Sequence, residues 1–449
     1  MTGTTLDLPD LDLTVPVPSG WQVVTPTQGH DPASADVGGA ARQTVVLTPH
    51  DWSPEDGFEP TLTLTATPAD PPPSPHRAGM DALALAERED GAHIVGYDRW
   101  PSGRRLTWLT RAQGRPVVVQ QWVLTRATRV VTLTAAVDVT RWVEIATLLD
   151  DVAHGLTWTD EPAPEQAEQR RPGLLGAGGE PRRDADLATL DVDAEDLSRI
   201  SARQRFRPPG TAVDREGLVA LLGAEPVPGA PPPATVPRDL VRAGLATRDG
   251  PTREGLRLRT IAQEADRVVD AEGVIGPLRL RFTLYGRGAE AIVLCSDGVS
   301  QWVGKPPRGR ALSETSARTQ VIELGTAEGV QLLASWLGTG PAWSLATNPQ
   351  QVPEELLVQR VHDRGTPPPA GADAQLTQVW ARVGALWTVT AHDLRTRGSW
   401  SLAAVDAHDR GAYQLTPAGE GLLTVEALPG PSVLAHLARM VLAPIIGED

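Results

Sequence analysis

The chain has 449 residues, 41% of them hydrophobic, so it is too long for one ordinary domain and apolar enough to build real cores. A net charge of −15 argues against nucleic acid, which needs a cationic face, and offers nothing to an anionic membrane. One cysteine, Cys295, excludes an intramolecular disulfide framework and a structural zinc site built on cysteines.

Residues 1–160 read as a first unit. Met1 to Leu8 has neither the basic nor the apolar region of a signal peptide, and no run of about 18 apolar residues follows anywhere. The expectation is a cytoplasmic protein without membrane insertion. Strand-like runs begin at Gly20–Val24, Gln43–Leu47 and Pro60–Thr65. They resume at Arg105–Leu109, Pro116–Leu124 and Arg129–Ala135, with the spacing of an antiparallel meander. Two helices accompany them. Met80–Glu87 is one; the other, Thr140–Val152, places Trp142, Ile145, Leu148, Leu149 and Val152 on one face that must lie on the sheet.

Residues 161–186 are rich in Pro, Gly, Glu and Arg and read as a flexible linker. The second unit, 187–449, opens with helices at Asp214–Leu222, Val236–Leu245 and Thr252–Ala262. Strands follow at Leu278–Leu284, Glu290–Cys295, Gln301–Val303 and Thr319–Leu324. A helix to Leu337 closes this block, with Thr326 as the expected N-cap. The order then recurs. Ala374–Ala381, Ala385–Thr390, Ser399–Val405, Tyr413–Leu415 and Gly421–Glu426 read as strands, and Ser432–Val441 as a closing helix. The fold class expected is α+β, with an N-terminal antiparallel sheet carrying two packed helices and a quasi-duplicated C-terminal sheet with helices.

The chemistry-bearing residues form no catalytic, cofactor or metal motif. The nine histidines show no metal-ligand spacing, and His392-Asp393 and His408-Asp409 read as turn or strand-end pairs rather than dyads. His436 reads as a packing or surface residue. Adjacent Asp150 and Asp151 point different ways on a helix, which suits acid–base work poorly. Cys295 sits in an apolar run and reads as core. Trp380, Trp387 and Trp400 read as sheet core, the alternative being one or two exposed interface anchors. Leu240 to Leu256 has the cadence of a winged helix with Arg253, Arg257 and Arg259, but the acidic chain disfavours DNA.

Two resemblances follow from these residues. From Asp214–Leu222 through Leu240–Leu245, Leu256–Gln263 and the later strands and helices, the C-terminal part resembles the EspG family of type VII secretion chaperones. Through Pro18-Ser-Gly-Trp21-Gln-Val, Gly57-Phe-Glu-Pro60 and the Trp142 helix, the N-terminal part resembles the LpqN and PsbP-like α/β sandwich. The first resemblance implies a non-enzymatic cytosolic chaperone or adaptor in an actinobacterium, holding a small helical secreted protein. Its contact surface is expected at Leu284, Tyr285, Arg287, Trp302, Val303, Arg308 and Arg310. The alternative is a scaffold or immunity-type module acting through the N-terminal sandwich.

Overall fold

The computed structural model describes residues 4–9, 12–24, 43–53, 57–69, 71, 73–100, 103–126, 129–158, 197–207, 210–222, 236–302, 318–342 and 350–443. They fall in two compact units, the first ending at residue 158 and the second beginning at 197. The expected linker lies outside the described residues.

The first unit runs β1 (Thr4–Leu8), β2 (Leu13–Val17), β3 (Trp21–Val24), β4 (Gln43–Pro49), β5 (Thr61–Pro68), α1 (Pro75–Ala86) and β6 (His93–Trp100). It continues with β7 (Gly103–Ala112), β8 (Arg115–Arg126), β9 (Arg129–Asp138), α2 (Val139–His154) and β10 (Thr157–Trp158). A seven-stranded antiparallel sheet has the order β3-β4-β5-β9-β8-β7-β6, and β1, β2 and β10 form a small separate sheet. Strands β1, β2, β6 and β10 are not among the strands that the sequence suggests.

The helices take opposite faces of the large sheet. Arg104 packs at Gly79 of α1, whereas its neighbour Arg105 bonds Asp150 of α2, and successive strand residues point to opposite sides. Coverage on both faces explains the unbroken apolar run Val117-Val118-Val119 in β8, all three residues of which are buried. Asp150 lies in a buried polar network. It accepts from Arg105 at 3.2 Å and from Gln120 at 2.9 Å, and Gln120 in turn accepts from the Trp142 indole. Arg105 also pairs with Asp98 at 3.0 Å, so each buried charge has a partner.

The second unit opens with α3 (Ser198–Arg203), β11 (Thr211–Asp214), α4 (Arg215–Leu222), α5 (Arg238–Arg242), β12 (Ala246–Thr247), β13 (Gly250–Pro251) and α6 (Arg253–Gln263). The meander β14 (Arg267–Ile275), β15 (Leu278–Arg287), β16 (Glu290–Cys295), α7 (Val299–Trp302) and β17 (Arg318–Gly325) leads to α8 (Glu328–Leu337). Then β18 (Gln350–Pro353), α9 (Glu354–His362), α10 (Ala374–Arg382), β19 (Ala385–Asp393), β20 (Ser399–Asp406), β21 (Ala412–Gly419), β22 (Leu422–Leu428) and α11 (Gly430–Leu442) repeat the plan.

All ten long and edge strands join one antiparallel sheet, β11-β17-β16-β15-β14-β19-β20-β21-β22-β18. Read from its β14–β19 centre, the order is the same in both directions. Each half has a four-strand meander ending in a helix and an outer strand that runs straight into another helix. Val213 and Val352 hold the same place in the two outer strands and are both buried. The sheet is therefore a quasi-two-fold duplication. One face carries α8 and α11: Leu284 packs at Gly329, and Trp387 lines a cavity with Gly430 and Val433. The other face carries two clusters, α4–α6 over Ile292 and Leu294, and α9–α10 over Val405 and Tyr413.

Three local expectations are corrected. Ala374–Ala381 is helix α10, because Leu376, Val379 and Trp380 bury one helical stripe and Asp373 caps its start. Gln301 and Trp302 belong to a short helix, not a strand. Thr326 does not cap α8; its hydroxyl donates to the carbonyls of Gly288 and Glu290 and fastens the β15–β16 turn.

Candidate partner-binding site

The seven residues expected at a contact surface do not form one patch. Leu284 is fully buried beneath α8 and is corrected to a core residue. Tyr285 points to the opposite face and packs half-buried against the α4–α6 cluster, where burial and then Asp270 raise its pKa. Arg287, exposed at the end of β15, pairs with Glu264 at 3.3 Å. Val303, Arg308 and Arg310 lie outside the described residues. Trp302 ends α7 and opens onto something the sequence reading did not assemble.

That feature is a cleft of about 800 Å³ lined by Arg203, Arg205, Phe206, Arg207, Asp297, Gln301 and Trp302. Phe206, 1% exposed, anchors one wall. Its N–H donates to Ser300 Oγ at 3.1 Å, and its carbonyl accepts from Gln301 Nε2 at 2.8 Å. Its ring lies against Gly298, where an added Cβ would stand 2.8 Å from the Phe206 Cβ and 2.9 Å from the Trp336 carbonyl, so only glycine fits. Ser300 Oγ donates to the Ser335 carbonyl, tying this wall to α8. With Phe206 fixed inward, Arg205 and Arg207 stay outward and exposed. Neither has a carboxylate partner among the described residues. Trp302 contributes a water-shielded indole N–H that finds no acceptor.

The other singled-out residues resolve into structural roles. In the winged-helix-like segment, Arg257 is held by Glu254, Glu290 and Glu323. Arg259 donates to the carbonyls of Ala220 and Leu221, closing the end of α4. Two of the three arginines are thus occupied within the fold. His392 is exposed on β19, while Asp393 beside it is buried and bonds Arg267 at 3.0 Å, so the two face opposite ways. His408 takes a positive φ of 57° in a 3-10 turn, its Nδ1 3.8 Å from Asp409. It shares a cavity of about 50 Å³ with Asp406, room for a water or two. Cys295 is buried, and burial followed by Asp297 pushes its thiol up to about 12, so it is a core residue. Trp380 and Trp387 are core, the former donating to the Thr366 carbonyl; Trp400 is half-buried, edge-on to His436. Among the described residues, no three His, Cys, Asp or Glu side chains group to hold a metal, and no helix is long and apolar enough to cross a membrane.

No protein-family model matches the chain, and no curated protein does. Solved structures are similar to part of it. Cyanobacterial PsbP from Synechocystis matches at 16% identity over 34% of this chain and 91% of its own, with a TM-score of 0.23. LpqN, involved in cell envelope biogenesis of Mycobacterium tuberculosis, matches at 15% identity over 34% of this chain and 84% of its own, with a TM-score of 0.25. A protein of unknown function from Pseudomonas aeruginosa matches at 12% identity over 36% of this chain and 99% of its own, with a TM-score of 0.24. The similarity reaches only a third of the chain and concerns fold alone.

Proposed function

We propose that this chain is a non-enzymatic, cytoplasmic chaperone or adaptor that holds a small α-helical protein destined for a type VII secretion system. The supporting observation is that the second unit runs helices, strands and a helix, then strands and a helix again, the order on which the resemblance to EspG chaperones rests. The physical motive is that an amphipathic export substrate exposes an apolar stripe that must be covered until it is handed on.

Co-expression with each small helical protein encoded beside the gene tests this. The expected result is a 1:1 complex by size exclusion with light scattering. A chain that elutes alone with every candidate overturns the proposal. One observation favours a contact on the first unit instead: Leu85 on α1 is 66% exposed, the most exposed large hydrophobic among the described residues. Leu85→Glu in the full chain separates the readings, because only a partner docked on α1 is lost.

A further inference from the structure

The cations of this acidic chain are unevenly placed. From Arg199 to Arg207 the sequence holds four arginines and no acid, and Lys305, Arg308 and Arg310 follow Trp302 before the next acid, Glu314. The fold brings Arg203, Arg205 and Arg207 against Trp302 across some 95 residues of sequence, around one cleft.

We infer that this cleft binds an acidic segment of a protein partner, its carboxylates on Arg205 and Arg207 and an apolar side chain on Trp302. The inference rests on the adaptor reading and names the chemistry of the partner's docking face. Exposed Arg205, buried Phe206 and exposed Arg207 alternate as in extended chain, which sets the two arginine Cα atoms about 7 Å apart. Carboxylates one helical turn apart, at i and i+4, project from Cβ atoms about 6 Å apart. Two guanidinium forks therefore match two acids on one face of a helix, each free to bind in the bidentate manner. Trp302 adds an aromatic face to the cleft beside the two guanidinium groups, on which an apolar side chain of the same segment can rest. Asp297 in the wall and the net charge of −15 oppose a long polyphosphate, while a short carboxylate segment escapes most of that repulsion.

The test uses the full chain and a fluorescein-labelled helical peptide of about 18 residues with Glu at successive i, i+4 positions on one face and Leu on the other. A matched peptide carries Gln in place of Glu. Anisotropy should show the Glu peptide binding at least about tenfold tighter than the Gln peptide, with affinity falling as salt rises. Arg205→Glu with Arg207→Glu should cost a further tenfold or more. Trp302→Phe should weaken binding several-fold while leaving the salt dependence unchanged. Circular dichroism confirms that each variant is folded. Equal binding of both peptides, no binding of the Glu peptide, or undiminished binding by the double variant overturns the inference. Tighter binding of a single-stranded oligothymidine, lost in the same double variant, overturns it in favour of nucleic acid. If a helical partner co-purifies equally with the double variant, the adaptor reading survives and this docking chemistry does not.

Discussion

His436 sits in α11 with both ring nitrogens enclosed and unpartnered, 5.4 Å from the Trp400 ring centre. Burial, and then the charge of Arg439, push its pKa down to about 4. Between about pH 4 and 6.5 the unfolded chain binds a proton there and the folded chain does not. Stability therefore falls as the pH drops through that window, by up to about 3 kcal/mol. Asp406 acts with the opposite sign. Burial drives its pKa up to about 7, against the His408 N–H that donates to it, with Asp409 adding to the rise. Its folded form keeps a proton that the unfolded form has lost above about 3.8, so stability falls as the pH rises towards 7. The two slopes offset each other in the parent chain. His436→Leu should leave stability declining from pH 4 to 7, and Asp406→Asn should leave it climbing, as read from urea midpoints across that range. A His436→Leu chain with the parent profile would refute the assignment. Sequence alone leaves His436 between packing and surface, because whether a ring nitrogen finds a partner depends on a strand 36 residues away in β20.

At the scale of elements, legibility followed periodicity. The long strands β7, β8 and β9 and the helix α2 announce themselves through apolar runs and a clear helical stripe. Ala374–Arg382 misleads because Thr377, Val379 and Trp380 favour strands locally, while the deciding signal is a single residue outside the segment. Asp373 accepts the Leu376 N–H at 2.7 Å and starts the helix. Asp373→Ala should cost about 1 kcal/mol of the second unit's stability in urea denaturation, and Asp373→Ser should restore most of it. A loss below about 0.3 kcal/mol would mean that packing of Leu376 and Trp380 alone fixes α10. The cleft was half legible for a related reason. Trp302 stands out in sequence, but Arg203, Arg205 and Arg207 look like ordinary surface charge until Phe206 is seen to anchor their segment beside it.

For the second unit as a whole, the seam between β14 and β19 decides everything else. The duplication was readable as a repeated order of elements, but not the antiparallel join of the halves, since no local pattern specifies pairing at that separation. Its ends are set by the register Arg267↔Asp393 to Val274↔Leu386. At one end Arg267 is 5% exposed, reaches Asp393 at 3.0 Å and donates to the Met440 carbonyl at 3.2 Å, so one guanidinium fastens both halves and α11. Arg267→Ala should destabilise the unit by about 3–5 kcal/mol, because the buried Asp393 carboxylate loses the guanidinium charge that faces it. Replacing both with Leu should cost less, and a double variant as unstable as the single would argue that the Met440 contact dominates. The seam also has a consequence in time. About 110 residues separate Ile275 from Ala385, so a ribosome adding 5–20 residues per second makes β14 roughly 5–20 s before its partner. From the completion of β17 at Gly325, some 60 residues before Ala385, the first half is a meander whose β14 edge waits unpaired, and two nascent chains on one messenger are each other's nearest template.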